Sequence, residues 1–491
     1  MDTLQPVALG TARSNRVVAA ALIACTWAVV VLLTIPRAIS RGVADYGFLT
    51  GIAERLRVGD VLYTQVWDNK DPLVYYSLAL ARSFGPNGAI GAWVLELLWV
   101  VLAAAAVYVI ARFQGLSRTM SSYVGFGLTP LIMLGAAYYM GSTHPPAIAL
   151  LLVAIALLFS RHPLTAGVVV GLLLFFKLVL VPLAVIAVAA TIIALKRRSD
   201  IKWLLIGCGA VVFIMAVVLG VRGELVGFIT TQPENVLHSQ TPIVSADQTG
   251  LLERIKRYLV ILVNPQIAAI QFTTVGILFF TRPAQLRSIE VRAALWWITA
   301  STFVMEVVTV AMTGKWFHHA QAFGVSSALA LVLAVHYCVK VRRTRSWVAA
   351  GLAAFLTYPL AGLPQPQVYA LAVTDLSTRW IQATTVDTMT RILSDQEPGG
   401  VSFIGETIPQ SPGLDDWTIA CRHVAQRPFN HPSLFDETIG CLPTSDVIVI
   451  SKDITGESAF PDYDAFLSNV SDLVQTQYSC TQVETLTICR R

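Results

Sequence analysis

From residue 17 to about residue 363 the chain returns repeatedly to apolar stretches of roughly 17 to 25 residues, the length a helix needs to cross about 30 Å of hydrocarbon. No other feature limits the fold as sharply. In lipid a backbone N–H or C=O finds no water, so each stretch must satisfy its own hydrogen bonds, and the α-helix does so within one segment. The whole-chain balance agrees: of 491 residues 55% are hydrophobic and 13% charged, with a mean hydropathy of +0.64, far from the usage of soluble domains. An integral membrane protein follows. The net charge of +5 is small, and the basic residues lie scattered in short loops, which argues against nucleic acid as a partner. The first apolar run, "VVAAALIACTWAVVVLLTI", follows Arg13 and Arg16 but is long for a signal-peptide core and lacks a small-residue cleavage site, so it reads as an uncleaved span.

Spans are expected at about 17–35, 89–111, 121–139, 145–160, 164–177, 179–195, 203–221, 258–281, 293–313, 319–339 and 347–363, roughly eleven in all. The run from Pro163 to Leu195 is too long for one ordinary span and is interrupted by "FFKLVLVP", which predicts a hairpin around Lys177. With the N-terminus cytoplasmic, Arg112, Arg118, Arg161, "KRRSDIK" at 196–202, Arg282, Arg287, Arg292 and "KVRRTR" at 340–345 all fall inside, the positive-inside bias. An odd number of spans then places the tail outside. The opening loop 36–88, "YYMGSTHPP", Lys177, the loop from Arg222 to about Arg257 and "GKWFHHA" share that outer side.

Two regions result: a membrane module over 1–363, with interfacial helices in its loop 36–88, and an extracytoplasmic domain over 364–491. The fold class is an all-α polytopic membrane protein carrying a small α/β or α+β C-terminal domain. The tail earns that reading by alternating helix-like text, "STRWIQATTVDTMTRIL", with strand-like runs after turns, "GGVSFIG", "SDVIVIS" and "ETLTIC". Its cysteines Cys421, Cys441, Cys480 and Cys489 are even in number and sit where disulfides persist; nearest-neighbour pairing would join 421 to 441 and 480 to 489. Cys25, Cys208 and Cys338 lie in apolar spans and read as small hydrophobes.

After the first span comes "ADYGFLTGIAERLRVGDVLYTQVWDNKDPLVYY", residues 44–76. Phe48, Leu49, Ile52, Ala53 and Leu56 recur at helical spacing while Glu54, Arg55 and Arg57 face elsewhere, an amphipathic helix too short to span. A second helix should start at Pro72, with Asp71 as N-cap, and end near Gly85. The acidic residues of this loop read either as solvated caps or as ligands.

This arrangement resembles the GT-C superfamily of membrane glycosyltransferases, in particular its bacterial dolichyl-phosphate-mannose-protein mannosyltransferase-like branch. Asp45, Tyr46, Gly59, Tyr63, Trp67, Asp68, Lys70, Pro72 and Tyr75 carry the likeness. "AGVVVGLLLFFKLVLVPLAV" is similar to that family's glycine-spaced helix ending in lysine, and "KWFHHAQAF" to its aromatic and histidine segment. Where some members place a second acidic residue before the fourth span, this chain has "GSTHPP" with His144, which puts a two-carboxylate or metal-bridged site in doubt.

The resemblance implies a hexosyl- or pentosyltransferase of cell-envelope glycan biosynthesis. Its donor would be a polyprenyl-phosphate sugar and its acceptor a lipid, glycan or protein, met at the outer membrane face. Inverting displacement at an anomeric carbon needs a carboxylate to take the proton of the attacking hydroxyl and cations to offset charge on the departing phosphate. Asp45 suits the first role; Lys177, Lys315, His318 and His319 suit the second, and Asp68, Lys70, Asp71 and His144 are further substrate-binding candidates. Each has a plainer alternative: Lys177 a snorkelling lysine, "WFHH" an aromatic belt, His144 a loop or capping residue. Glu96 and Glu306 fall within spans, where carboxylates are costly and tend to be paired or functional. No short ligand motif supports a metal, and the cofactor is left open. Other classes compatible with such a scaffold are a transporter or flippase of lipid-linked sugars and a noncatalytic assembly protein.

Overall fold

The computed structural model describes residues 8–39, 44–68, 70–84, 89–136, 143–238, 256, 259, 265–281, 290–313, 322–340, 391–404, 416–422, 432–451, 461–483 and 486–491. The chain divides into two compact units, one of 1–36, 93–213 and 252–369, the other of 37–92, 214–251 and 370–491.

The first unit is helical. It holds most of α1 (Ala8–Ile39) and α4 (Ala89–Phe113), then α5 (Arg118–Ser122) and α6 (Thr129–Ala136) joined by a π turn at Tyr123–Leu128, α7 (His144–Phe159), α8 (Pro163–Phe176), α9 (Val181–Ala194) and the first part of α10 (Asp200–Val221). Later come α12 (Pro265–Phe280), α13 (Glu290–Thr313) and α14 (Gly324–Lys340). Every predicted span except 347–363 contains a helix; that segment lies outside the described residues, so the count of about eleven stays an expectation. Among the described residues three helices are long and apolar enough to cross a membrane, Ile90–Phe113, Asp200–Val221 and Ala293–Ala311; α7, α8 and α9 are apolar but shorter.

Small residues decide how these helices meet. A Cβ at Gly167 of α8 would lie 2.0 Å from the Leu204 carbonyl oxygen of α10, and one at Gly207 would lie 2.1 Å from that of Leu164. The two backbones therefore touch where lipid tails supply no hydrophobic drive and close packing does. The break predicted at Lys177 is present: α8 ends at Phe176, a 3-10 turn covers Leu178–Leu180, and α9 packs chiefly against α13 while α8 packs against α7. At the π turn between α5 and α6, the Thr26 hydroxyl donates to the Gly127 carbonyl and the Thr129 hydroxyl joins its own N–H on the Val124 carbonyl, at 2.9 Å each for the hydroxyls.

The second unit gathers three stretches of chain. From the first come α2 (Ala44–Arg57) and α3 (Pro72–Arg82), as the apolar spacing and Pro72 predict. From the second come the end of α10 and α11 (Leu225–His238). The tail contributes a five-stranded sheet of order β2-β1-β3-β5-β4, with β1 Gly400–Ile404, β2 Thr418–Ile419, β3 Val447–Ser451, β4 Ser479–Val483 and β5 Leu486–Arg490. β1 runs parallel to β2 and β3, while β5 is antiparallel to β3 and β4. Helices α15 (Pro432–Cys441) and α16 (Pro461–Gln477) cover it, sharing a core of Ile404, Phe435, Leu442, Ile448, Phe466, Val470 and Tyr478. The three strand-like runs of the sequence are β1, β3 and β5. The text at 377–390 lies outside the described residues; of the edge strands, β2 is only two residues long and β4, "SCTQV", is polar enough to match a loop. Disulfides join Cys421 to Cys441 and Cys480 to Cys489, the nearest-neighbour pairing.

Candidate active site

The turn between α2 and α3 is where the second unit concentrates its polar chemistry. α2 has to stop near Val58 because Gly59 follows with φ +107°, and the chain then closes a small bridge between Leu62 and Val66. Tyr63 lies inside it, fully buried and in the left-handed region at φ 66°. Three contacts hold it there: its N–H donates to the Val66 carbonyl at 2.7 Å, its hydroxyl to the Lys70 carbonyl at 2.7 Å, and its own carbonyl accepts from Arg422 Nη1 at 3.1 Å. Gly227 of α11 makes the space, since a Cβ there would lie 2.6 Å from that of Tyr63.

Asp68 and Asp71 are both buried, 6% exposed, in place of the solvated positions open to them from sequence. Asp68 Oδ2 accepts from the Tyr75 hydroxyl and from Lys70 Nζ at 3.4 Å. Asp71 occupies the predicted N-cap position of α3 without a side-chain cap bond. Burial, reinforced by Asp71, Asp68 and Glu224, raises the Tyr63 pKa; burial and then Asp68 raise that of Tyr75. Both phenols stay protonated and serve as donors.

Glu224, which belongs to no motif, is the most buried carboxylate among the unit's described residues, 0% exposed. Its Oε1 accepts from the Leu62 N–H at 3.2 Å and Arg222 Nε at 2.9 Å, and its Oε2 from the Tyr76 hydroxyl. The Arg222 guanidinium lies over the Tyr76 ring at 5.2 Å. Burial, then the bond to Glu224, raises the Tyr76 pKa. Its one sequence signal is position: like Asp45, it is an acid just past the end of an apolar span.

The polar side of α2 is also covered. Glu54 and Arg55 are 6% and 5% exposed: Arg82 Nε donates to Glu54 at 3.0 Å, Arg57 pairs with Glu54 too, and Arg55 bonds Asp60 at 2.6 Å and the Trp417 carbonyl at 2.7 Å. The amphipathic face is thus read correctly on its apolar side, while α3 and the tail bury the charges by pairing them. Asp45 opens α2, in its first turn.

In the first unit, His144 begins α7 and is buried, and Lys177 closes α8 with its Nζ donating to Thr143 Oγ1 at 2.5 Å. Lys177 thereby reaches the residue that directly precedes His144 in the chain. Glu306 is fully buried, with Oε1 accepting the Ser326 N–H at 2.9 Å and Oε2 the Ser326 hydroxyl, so it ties α13 to the first turn of α14. Glu96 is buried on α4. Lys315, His318 and His319 lie outside the described residues. Among the described residues no group of three or more His, Cys, Asp or Glu is placed to hold a metal ion.

No protein-family model matches the chain, and no curated protein matches it by sequence. Solved structures do match by shape. The chain is similar to ArnT from Cupriavidus metallidurans, solved bound to undecaprenyl phosphate, with a TM-score of 0.54 at 13% identity over 95% of this chain and 97% of that one. It is also similar to the archaeal oligosaccharyltransferase AglB from Archaeoglobus fulgidus, solved with an inhibitory peptide and a dolichol-phosphate, with a TM-score of 0.51 at 12% identity over 96% of this chain and 74% of that one. At such identities the likeness is one of fold.

Proposed function

We propose that the protein transfers a sugar from a polyprenyl-phosphate carrier to an acceptor at the extracytoplasmic membrane face. The observation that carries this reading is the likeness of fold, over 95% and 96% of this chain, to two solved structures, one holding undecaprenyl phosphate and the other a dolichol-phosphate. The motif residues Tyr63, Trp67, Asp68 and Lys70 between α2 and α3, with Tyr75 of α3 bonded to Asp68, support it from the sequence side.

In this reading the acceptor hydroxyl attacks the anomeric carbon, the bond from that carbon to phosphate oxygen breaks, and the hydroxyl proton passes to Asp45. The carrier leaves as a polyprenyl phosphate, and inversion results. Lys177, whose Nζ bonds Thr143, with His144, Lys315, His318 and His319, offsets the charge on that phosphate. Asp68, Lys70 and Asp71 shape the substrate-facing turn, with Tyr63 and Tyr75 as neutral donors beside them.

Purified protein in detergent should move radiolabel from at least one member of a panel of polyprenyl-phosphate sugars to an acceptor. Vesicles that equilibrate the labelled carrier between leaflets without forming product would point to a flippase instead. Silence in both assays would leave the assembly role.

A further inference from the structure

We propose that Arg422 of the tail is a positioning residue that holds the 62–70 turn in its working shape, and that the Cys421–Cys441 disulfide sets Arg422 in place. The proposal rests on the transferase reading for its activity arm only. Arg422 meets the turn at two points. Its backbone carbonyl accepts the Trp67 N–H at 2.8 Å, and its Nη1 donates to the Tyr63 carbonyl at 3.1 Å. Tyr63 follows Leu62 and Trp67 follows Val66, the two partners of the bridge, so one arginine reaches both arms of the turn and holds its strained tyrosine.

What aims the arginine is equally specific. Its Nε and Nη2 pair with the two oxygens of Glu437 on α15, the latter at 2.7 Å. The preceding residue, Cys421, is buried and bonded to Cys441 at the end of that helix. Backbone and guanidinium are therefore both referred to α15. A planar fork meets both oxygens of Glu437 and the Tyr63 carbonyl from three nitrogens at fixed directions, a geometry that lysine's single ammonium does not reproduce. The second disulfide, Cys480–Cys489, joins directly paired residues of β4 and β5 and has no part in this chain of contacts.

The test compares Arg422→Ala, Arg422→Lys, Glu437→Gln, Cys441→Ser and Cys480→Ser in the full-length protein. Amide hydrogen exchange over residues 58–71 is read beside sugar transfer. Glu437 is exposed, so its substitution leaves the domain folded if Arg422→Ala does not. The expected result is faster exchange in the first four variants and not in Cys480→Ser, with transfer falling about 10²-fold, the cost of a misplaced reacting group, and no rescue by lysine. Unchanged exchange in Arg422→Ala and Glu437→Gln overturns the proposal. Equal loosening by Cys480→Ser overturns it too, since general weakening of the tail would then be the cause. Faster exchange with undiminished transfer shows that the turn needs no positioning. If the parent protein transfers nothing, the transferase reading fails and the exchange arm still decides the clasp.

Discussion

Tyr63 holds a backbone conformation that a side chain of its size rarely adopts, at a cost of about 1 to 3 kcal/mol. Such a conformation persists only where its surroundings over-determine it, and the bonds to Val66, Lys70 and Arg422 do so. Its neighbours make the turn sensitive to alkali. The phenols of Tyr63, Tyr75 and Tyr76 all titrate above their ordinary value in the folded chain, so their contribution is fully present below pH about 10 and is lost as pH rises through the raised values. Thermal unfolding of the solubilised protein should therefore show a falling midpoint from pH 9 to pH 11; a flat profile would contradict the burial of these rings. Asp45 belongs to a different argument. Asp45→Asn keeps the shape and removes the basic oxygen, so transfer should drop about 10²- to 10⁴-fold while carrier binding survives. Near-normal turnover would send the search for a base to Asp68 or Asp71. The sequence offered Asp68 and Tyr63 through the motif they share. It did not offer Glu224, whose partners Leu62 and Tyr76 lie 162 and 148 positions away, because no local pattern records a long-range bond.

Among the elements, α11 shows how a single glycine governs a neighbour. In a helix, Gly→Ala ordinarily gains about 1 kcal/mol. At Gly227 the added methyl would collide with the Cβ of Tyr63, which has no flexible end to move aside. Overpacking of this kind costs about 1 to 3 kcal/mol, so Gly227→Ala should lower the unfolding midpoint and weaken transfer, whereas the same change at Gly209, which meets nothing within 4 Å, should not. The helices themselves were the most legible part of the chain, because lipid enforces one backbone solution and the apolar runs mark its limits. The break at Lys177 was legible for the same reason, a run too long for one span. The partners of each helix were not. That α8 meets α10 through Gly167 and Gly207, or that Glu306 reaches Ser326, depends on which faces approach, and a helix that is apolar all round carries no such signal.

At the level of the whole molecule, the tail domain proposed as extracytoplasmic should carry both bridges. Mass mapping without reduction should recover peptides linking Cys421 to Cys441 and Cys480 to Cys489; free thiols in freshly isolated protein would argue for a reducing compartment and against the assigned topology. The tail's strand runs and cysteines were visible in sequence, yet its engagement of the opening loop was not, since Arg422 and Tyr63 are 359 residues apart. That separation also sets a clock. At about 5 to 20 residues per second, ribosomes deliver Arg422 about 20 to 70 s after the turn it clasps. Through that interval the motif residues are already synthesised but lack the contact that completes them. A nascent or prematurely terminated chain would then carry the motif residues in an unlatched turn, so that translation itself withholds the finished turn until the tail domain has arrived.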